Sequence, residues 1–522
     1  MNTNNENAIL RVETIEEMKN SDVHGLTYEL IAYVKDVFRT EQGLNIFTID
    51  DGEQDFKLVK FIPGSIAHPE INKGSVALFS FKRQHYEGDL QGKLEDIRQI
   101  SSDQETKFKA GLNIRKLSQF KPVNTKLLFD TPAFNAMKEK LQHVATLIRQ
   151  AVIEHRPIVI SHHNDIDGFT SGLILEDAIE PLIKKHYPLV KFMANFLTRY
   201  PSRTPYYDII DATKDISIFL QNMDRADTKP PLVLLVDNGS STQDIVAINK
   251  VKLFGADVAV IDHHEPGPLD EHGKSAVCNV TVGHVNPHLV GVKENISASL
   301  LSYELANLIN EFKEPNKHPA LLGGVSDRCD GPEVNQLISQ LNTTRDYYEE
   351  LCLVGDYEIY QTKMNLPTSA LLSFLRGDKL DELRNLYIPL LEEDRAQIKG
   401  LVKHYSTSKQ LGNFKVQFLD GEKTTLRGDF YQLRAMAINL HDSAVEIEKN
   451  LITCVYSDAF VVFRAQQENE VFDVNKLIPY LQEKLPHARL TGGGHAVAGS
   501  VKALPIAMPE VLKLIEEYIS NL

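Results

Sequence analysis

Residues 231–239, PLVLLVDNG, and residues 256–264, ADVAVIDHH, decide the fold. Each is an apolar run of strand length that ends in polar residues. The same pattern appears in PIVISHH at residues 157–163, and helical patterns such as TSGLILEDAIEPLI at residues 170–183 alternate with these runs. Strands that are apolar throughout are buried on both faces, and strands joined by helices run parallel. This part of the chain is therefore predicted to form a parallel α/β sheet.

Three further apolar runs are interpreted as strand-like segments of the same domain. They are VKFMANFL at residues 190–197, AVCNVTVGHVN at residues 276–286, and LLGGVS at residues 321–326, which ends at Asp327. A helix is predicted over ISASLLSYELANLINEF at residues 296–312.

Acidic and imidazole side chains follow four of these segments. Parallel sheets bind ligands at the carboxyl ends of their strands, so seven such groups are expected at one edge of the sheet. They are His163, Asp165, Asp167, Asp237, His263, His264 and Asp327. Helix capping is the simpler interpretation of any one aspartate, but a set of seven favours a cation site.

Divalent cations would neutralise the mutual repulsion of these carboxylates. Mixed carboxylate and imidazole ligands favour Mn²⁺, with Mg²⁺ as the alternative. Two such ions about 3.5 to 4 Å apart would clamp a phosphodiester and lower the pKa of a water that attacks phosphorus. The pattern therefore predicts a two-metal phosphodiesterase.

The order of these motifs resembles the DHH phosphoesterase superfamily. The matching residues are H-x-D-x-D-G at 163–168, D-x-G at 237–239, D-H-H at 262–264, Asp327, and G-G-G-H at 492–495, which resembles the DHH-associated C-terminal domain. The resemblance covers about residues 157–522, except a helical middle part. It implies one Mn²⁺ held by His163, Asp165 and Asp237, and a second held by Asp167, Asp237, His263 and Asp327.

The resemblance also implies roles around the two metals. Asp237 would bridge them, His264 would point at the scissile phosphate, and Asp262 would orient an imidazole. His162 is interpreted as a neighbour of the ligands, and Asp330 as a less favoured substitute for Asp327. Substrate phosphate would be bound by Arg464, Gly492, Gly493, Gly494 and His495; a tight packing turn is the alternative for the glycines.

The first hundred residues show a different pattern. Turn signals separate predicted strands at residues 30–38, 44–50, 55–62, 75–81 and 94–100. Five strands within residues 25–103 suit a small β-barrel, and this segment resembles an OB-fold that binds single strands. Candidate contacts to nucleic acid are Phe47, Phe56, Phe61, Phe81, Tyr86, Lys57, Lys60, Lys82 and Arg83; core packing is the simpler interpretation of most of the rings.

The predicted fold class is α/β, with a parallel-sheet catalytic domain and a smaller C-terminal α/β domain, preceded by the OB-like barrel. Residues 1–24 are interpreted as a tail. Residues 104–334 are assigned to the catalytic domain, which opens with a basic linker up to Lys126 and a helix at residues 132–154. Residues 335–409 are helical by pattern and form a connector, and residues 410–522 form the C-terminal domain.

The overall plan is similar to RecJ-like exonucleases that act on single strands. The OB-like segment precedes the catalytic part and the first motif opens with His163, which is more similar to archaeal RecJ-like proteins. The expected function is exonuclease action on single-stranded DNA or RNA, with replication or repair proteins as partners by analogy. The alternatives are a nano-RNase or nucleotide phosphatase, and a Cdc45-like replication scaffold without catalysis.

Composition sets broad limits on the class of protein. The net charge of −15 leaves a nucleic-acid partner open, because cations held by an acidic cluster would offset part of it. The four cysteines are too scattered for a zinc ribbon and are expected to be free thiols in a reducing compartment. No stretch approaches the length of a membrane span, so we expect a cytoplasmic protein.

Overall fold

A computed structural model gives the fold of the chain. It describes residues 9–21, 25–187, 192–204, 206–226, 228–293, 295–310, 313–362, 368–425, 433–444, 448, 450–466 and 471–522. The chain divides into two compact units, Met1–Lys121 and Pro122–Leu522. Within the described ranges, no helix has the length and apolar character that a membrane crossing requires.

The first unit is built mainly from strands. Its elements are β1 (Ile9–Arg11), α1 (Ile15–Asn20), β2 (Thr27–Arg39), β3 (Leu44–Asp50), β4 (Asp55–Phe61), β5 (Val76–Tyr86), β6 (Asp89–Arg98) and α2 (Ser102–Phe120). The strands pair in the order β1-β2-β3-β4-β6-β5, and β5 also pairs with β2. The five predicted strands are confirmed with shifted bounds, while the OB-fold itself stays a prediction.

Three of the five aromatic rings considered for nucleic-acid contacts belong to the core of this unit. Phe47 and Phe56 lie on the inner face of strands that alternate between buried and more exposed residues, and Phe81 ends a run of five buried residues in β5. Phe61 and Tyr86 are each 60% exposed. The stacking role predicted for the three buried rings is therefore wrong, and only Phe61 and Tyr86 stay candidates.

The basic candidates of this unit also differ in their contacts. Arg83 donates to the carbonyl oxygens of Met18 and Ser21 at 3.0 and 2.7 Å, so it has a structural role. Lys60 Nζ donates to the carbonyl oxygen of Glu95 at 2.6 Å, and Lys82 Nζ lies 3.5 Å from a Glu95 carboxylate oxygen.

Two segments expected to be irregular are ordered. Part of the predicted tail forms β1 and α1, because Thr14 caps α1 and the helix buries Ile15 and Met18. Most of the predicted basic linker forms α2, which begins at a capping box made by Ser101 and Gln104. Helix α2 falls in the first unit, so the unit boundary follows Lys121 instead of residue 103.

The second unit opens with the predicted lead-in helix and the parallel sheet. Its elements are α3 (Pro132–Ile153), β7 (Ile158–His162), α4 (Ile166–His186), β8 (Leu197–Pro201), α5 (Ile209–Ala226), β9 (Leu232–Val236), α6 (Ile245–Leu253), β10 (Asp257–Ile261), β11 (Gly283–Val285), α7 (Ala298–Ile309) and α8 (Lys317–Ser326). The strands are all parallel, in the order β11-β10-β9-β7-β8. The parallel α/β prediction is confirmed.

Helices and a second sheet complete this unit. The elements are α9 (Pro332–Leu341), α10 (Arg345–Thr362), α11 (Ser369–Arg376), α12 (Leu380–Tyr405), β12 (Thr407–Leu411), β13 (Phe414–Asp420), α13 (Gly421–Thr424), α14 (Leu433–Asp442), β14 (Leu451–Tyr456), β15 (Phe460–Ala465), α15 (Val474–Lys484), β16 (Thr491–His495), β17 (Ala498–Lys502) and α16 (Met508–Ser520). The second sheet is mixed, in the order β12-β13-β14-β15-β17-β16. Short 3-10 helices span Met193–Asn195, Thr242–Asp244, Ala276–Asn279, Pro287–Val290 and Pro505–Ala507.

Three strand predictions in the second unit need correction. The strand expected at residues 190–197 begins only at Leu197, after a 3-10 turn, and residues 188–191 lie outside the described residues. The run at residues 276–286 contributes only Gly283–Val285. LLGGVS lies in helix α8, because a short apolar run does not distinguish a buried helix from a strand.

Candidate metal centre

The carboxyl ends of β7, β9 and β10 meet at one edge of the parallel sheet. The register places His162, Val236 and Ile261 side by side as the last residues of these strands. The polar residues that follow each strand are therefore neighbours. This confirms the predicted convergence of residues 163–167, Asp237 and residues 262–264.

Asp327 reaches the same edge from a helix. It is the C-terminal cap of α8, and its Oδ2 lies 3.5 Å from His263 Nε2. Helix α8 approaches closely because Gly323 faces Asp167: a Cβ at Gly323 would lie 2.6 Å from Asp167 Oδ1. The predicted position of Asp327 is thus reached by a different element from the one expected.

Two groups of ligand-type side chains share Asp237. In the first, His163 Nδ1 lies 3.0 Å from Asp165 Oδ2 and 3.4 Å from Asp237 Oδ2. In the second, His263 Nε2 lies 3.2 Å from Asp237 Oδ1 and 3.8 Å from Asp167 Oδ2, with Asp327 nearby. The two oxygens of Asp237 therefore face different groups, which is the arrangement that a bridging ligand needs.

Both groups have the donor atoms and spacing of a cation site. Ligand atoms of His163, Asp165 and Asp237 all lie within 4.8 Å of one another, as do those of Asp167, His263 and Asp327. The buried atoms His163 Nδ1, Asp237 Oδ1 and Asp327 Oδ2 lie 3.0 to 3.5 Å from ligand-type atoms of their neighbours, but none makes a hydrogen bond of good geometry with a described residue. Buried polar atoms without partners are costly, so a cation that binds them would satisfy them.

The pKa values in this cluster show the repulsion that a cation would relieve. Burial and the carboxylates of Asp237 and Asp327 raise the pKa of Asp167 to about 8. Burial opposes charge on His163, but the Asp165 and Asp237 carboxylates outweigh it and raise the pKa of His163 to about 10. In the metal-free protein, protons occupy positions that cations would take, so the residues fit a divalent metal.

Asp165 and Asp167 also cap helices. Asp165 Oδ1 accepts from the backbone N–H of Gly168 at 3.1 Å, at the start of α4. The carboxylate of Asp167 accepts from the N–H groups of Ala298 and Ser299 at 2.8 and 2.9 Å, at the start of α7. The caps hold each carboxylate in a fixed orientation and leave its other oxygen lone pairs for a cation.

Asp262 faces His264 and not the two groups of ligands. Asp262 Oδ1 accepts from His264 Nδ1 at 2.8 Å and from the backbone N–H of His263 at 2.8 Å. The Asp262 carboxylate raises the pKa of His264 against the opposing effect of burial. No hydrogen bond to His264 Nε2 comes from the part of the chain that the structure describes, and the rings of His264 and His495 stack with centroids 5.4 Å apart.

His162 and Asp330 lie outside the cluster. His162 donates from Nδ1 to the carbonyl oxygen of His163 at 2.7 Å, and its Nε2 lies 3.1 Å from Arg199, which also contacts Glu176. Burial and Arg199 lower the pKa of His162 to about 3, so the ring is neutral. Asp330 is exposed and belongs to neither group of ligand atoms.

The three glycines of β16 differ in how closely other atoms approach them. A Cβ at Gly492 would lie 2.3 Å from the Ser500 carbonyl oxygen, and Gly494 has a φ of +130°, so β17 requires both glycines. Gly493 has no atom within 4 Å of a Cβ position. It lines a cleft of about 1010 Å³ that also contacts His264. Gly492 and Gly494 line the same cleft, so all three glycines stay candidates for the predicted phosphate contact.

Two arginines that the sequence motifs did not identify lie near Arg464. Burial and the charges of Arg434 and Arg328 lower the pKa of Arg464 to about 9. Arg434 also approaches the cluster, with its guanidinium 3.9 Å from Asp165 Oδ2. Arg328 directly follows Asp327 in the chain, a signal that could have identified it, whereas nothing in the sequence around Arg434 does. Three neighbouring guanidinium groups are an arrangement that favours an anion.

Comparisons with known proteins agree with this geometry. The model of the DHH family, N-terminal domain, matches residues 157–324. An uncharacterized protein of Methanocaldococcus jannaschii, MJ1198, is 30% identical over 543 residues, which cover 98% of this chain and 70% of that protein.

Solved structures are similar as well. The DHH domain of PF0399, a member of the s1p family of ribosomal proteins, is 30% identical with a TM-score of 0.72, covering 81% of this chain and 100% of that one. RecJ from Thermus thermophilus in complex with Mn²⁺ is more distant, at 14% identity and a TM-score of 0.47, covering 78% of this chain and 58% of that one.

Proposed function

The chain belongs to the DHH family, and from that premise we propose that it is a metal-dependent phosphodiesterase that removes nucleotides from an end of single-stranded DNA or RNA. The observation that supports this most strongly is the position of Asp237 between two groups of ligand atoms. Many phosphodiesterases and nucleases use a pair of cations held in this way to promote in-line attack on a phosphodiester.

The residues of each proposed cation site follow from the two groups. The first cation would be held by His163, Asp165 and Asp237, and the second by Asp167, Asp237, His263 and Asp327. Mixed nitrogen and oxygen donors favour Mn²⁺, with Mg²⁺ as the alternative. When bound, the cations would neutralise the carboxylates, polarise the phosphate and lower the pKa of the water that attacks phosphorus.

His264 is the residue that we assign to the scissile phosphate. Its Nδ1 is held by Asp262 at 2.8 Å, so the ring is fixed and Nε2 is the nitrogen left for substrate. The carboxylate of Asp262 favours the protonated imidazole, which donates a hydrogen bond to a phosphate oxygen. Charge that develops on that oxygen during attack is thereby stabilised by a donor already in position.

A second phosphate of the nucleic-acid strand would bind between the parallel-sheet part and the mixed-sheet part of the second unit. Arg464, Arg434 and Arg328 supply positive charge there, and the three glycines of β16 line the cleft. A terminal phosphate held beside the cation sites would set which bond lies over His264. This would make the enzyme act from an end.

The first unit supports a substrate longer than a dinucleotide. Phe61 at the end of β4 and Tyr86 at the end of β5 are each 60% exposed, and exposed rings are what base stacking requires. We propose that this unit holds the strand away from the cut.

A second candidate is a nano-RNase or nucleotide phosphatase that acts on short substrates. The cleft beside His264 measures about 1010 Å³, a volume that suits a small ligand. A Cdc45-like scaffold is disfavoured, because each of the seven ligand-type positions is filled and Asp237 is placed to bridge.

The test is hydrolysis of end-labelled DNA and RNA of graded length with Mn²⁺ or Mg²⁺. We expect a ladder of products shortened from one end, with long single strands cut at least as efficiently as dinucleotides. Cleavage restricted to dinucleotides would favour the second candidate. No cleavage of any nucleic acid by the metal-loaded protein would refute both, and the Asp237→Asn variant is the control for a contaminating nuclease.

A further inference from the structure

A chain of hydrogen bonds lies behind Asp262, on the side away from the cation ligands. Cys278 Sγ is 3.4 Å from His284 Nδ1, and His284 Nε2 is 2.9 Å from Ser240 Oγ. The backbone N–H of Ser240 donates to Asp262 Oδ2 at 3.1 Å. His284 lies in β11 and Ser240 follows β9. The strands on either side of β10 therefore support Asp262, the residue that follows β10.

Asn286 fixes the direction of these hydrogen bonds. Its Nδ2 donates to Ser240 Oγ at 3.0 Å and to the carbonyl oxygen of His264 at 2.8 Å, which uses both of its protons. Its Oδ1 accepts from the N–H of His288 at 2.9 Å. Ser240 Oγ therefore accepts from Asn286, and its own proton is free for one other partner.

Ser240 links His284 to Asp262 through two contacts. Its Oγ lies 2.9 Å from His284 Nε2, and its backbone N–H donates to Asp262 Oδ2 at 3.1 Å. Burial lowers the pKa of His284 to about 4, so the ring is neutral and hydrogen-bonds to Ser240 and Cys278 through its two nitrogens.

We propose that His284, acting through Ser240, is a positioning residue that holds Asp262 in the orientation in which it fixes His264. This inference rests on the hydrolysis proposed above and deepens it. Ser240, His284 and Asn286 are all buried, at 1%, 7% and 0% exposure, so each polar contact is worth more than it would be at the surface. None of the cation ligands is part of this chain of contacts.

The first test compares His284→Leu with His284→Gln. Leucine removes the ring nitrogen that contacts Ser240 at a similar volume, whereas the glutamine amide can hydrogen-bond to Ser240 Oγ from nearly the same place. We expect His284→Leu to lower kcat by roughly 10- to 100-fold, the usual cost of losing such a partner, with KM and Mn²⁺ affinity unchanged. His284→Gln should recover most of the rate.

A merely structural role predicts a different pattern. The unfolding temperature of His284→Leu would then be lower than that of the wild type, while kcat of the folded protein stayed at the wild-type value. That result would overturn the proposal. Ser240→Ala supplies the second check. If both residues act along one route, kcat of the Ser240→Ala and His284→Leu double variant should be no lower than kcat of Ser240→Ala alone. A kcat reduced by the product of the two single effects would count against a shared route.

A measurement without substrate separates this inference from the proposed function. In protein labelled with ¹⁵N-histidine, NMR should show His284 as a neutral imidazole, and the Nδ1–H signal of His264 should shift in His284→Leu but not in His284→Gln. An unchanged His264 signal in His284→Leu would refute the positioning role even in an active enzyme. Wild-type protein inactive on every nucleic acid, with the NMR pattern intact, would refute only the proposed hydrolysis.

Discussion

The replacement Asp237→Asn removes one negative charge from the position between the two proposed cation sites. Asparagine has nearly the same volume and is among the residues that tolerate the left-handed backbone found here, where φ is +58°. The fold should therefore survive. In the metal-free protein, Asp237 is repelled by Asp167 and attracted by His163 and His263, so its neutralisation should change the free energy of unfolding little.

The effect on cation binding should be large. Asp237 Oδ2 lies 3.4 Å from His163 Nδ1 and Oδ1 lies 3.2 Å from His263 Nε2, so one carboxylate serves both groups. At about 4 Å and an effective dielectric constant near 20, one pair of unit charges is worth about 4 kcal/mol, or roughly 10³-fold in a binding constant. We expect each cation to bind up to roughly 10³-fold more weakly in the variant.

Thermal unfolding with and without Mn²⁺ measures this directly. At about 100 times its Kd, a bound cation adds about 2.7 kcal/mol to the free energy of unfolding of the wild type. Asp237→Asn should show almost none of this gain and no hydrolysis, while Asp330→Asn, which changes an exposed acid nearby, should behave as the wild type. Wild-type stabilisation and activity in Asp237→Asn would refute the bridging role.

Three further predictions concern pH, phosphate binding and the first unit. The carboxyl of Asp167, with its pKa raised to about 8, must lose a proton when a cation binds, so calorimetry should show Mn²⁺ affinity falling as pH is lowered through 8. For the same reason, the contribution of Asp167 to the stability of the metal-free protein should be lost as pH rises from about 4 to 8, which a comparison with Asp167→Asn in urea unfolding at each pH would isolate. Arg464→Met should raise KM and reduce the salt dependence of binding with little change in kcat, as measured by steady-state kinetics. The double change Phe61→Ala and Tyr86→Ala should weaken binding of long strands by about 1 to 3 kcal/mol per stacked base and leave dinucleotide cleavage unchanged.

The convergence of the metal ligands could be predicted from the sequence because it follows from a local rule. Each apolar run defines a strand, parallel strands align their carboxyl ends, and the next polar residues must then meet. His163, Asp237 and His263 follow from this rule alone. The sequence correctly places Asp327 at this edge of the sheet, but it predicts a strand before Asp327 where the structure has helix α8. The short run LLGGVS has no periodicity that separates a helix from a strand.

Other features depend on which face a residue occupies or on contacts distant in sequence. Phe47, Phe81 and Phe61 each have at least one polar neighbour in the chain, and only the pairing of strands shows that the first two face the core. Arg434 lies about 270 residues after Asp165 in the chain, and no motif links them. The contact between Ser240 and His284 likewise exists only because β9 and β11 flank β10.

The pair of cations shared by Asp237 is tested most directly by anomalous diffraction from crystals grown with Mn²⁺. Two manganese peaks are expected, one beside His163 and Asp165 and one beside His263 and Asp327, both in contact with the carboxylate of Asp237. A single peak, or two peaks of which only one contacts Asp237, would contradict the shared site.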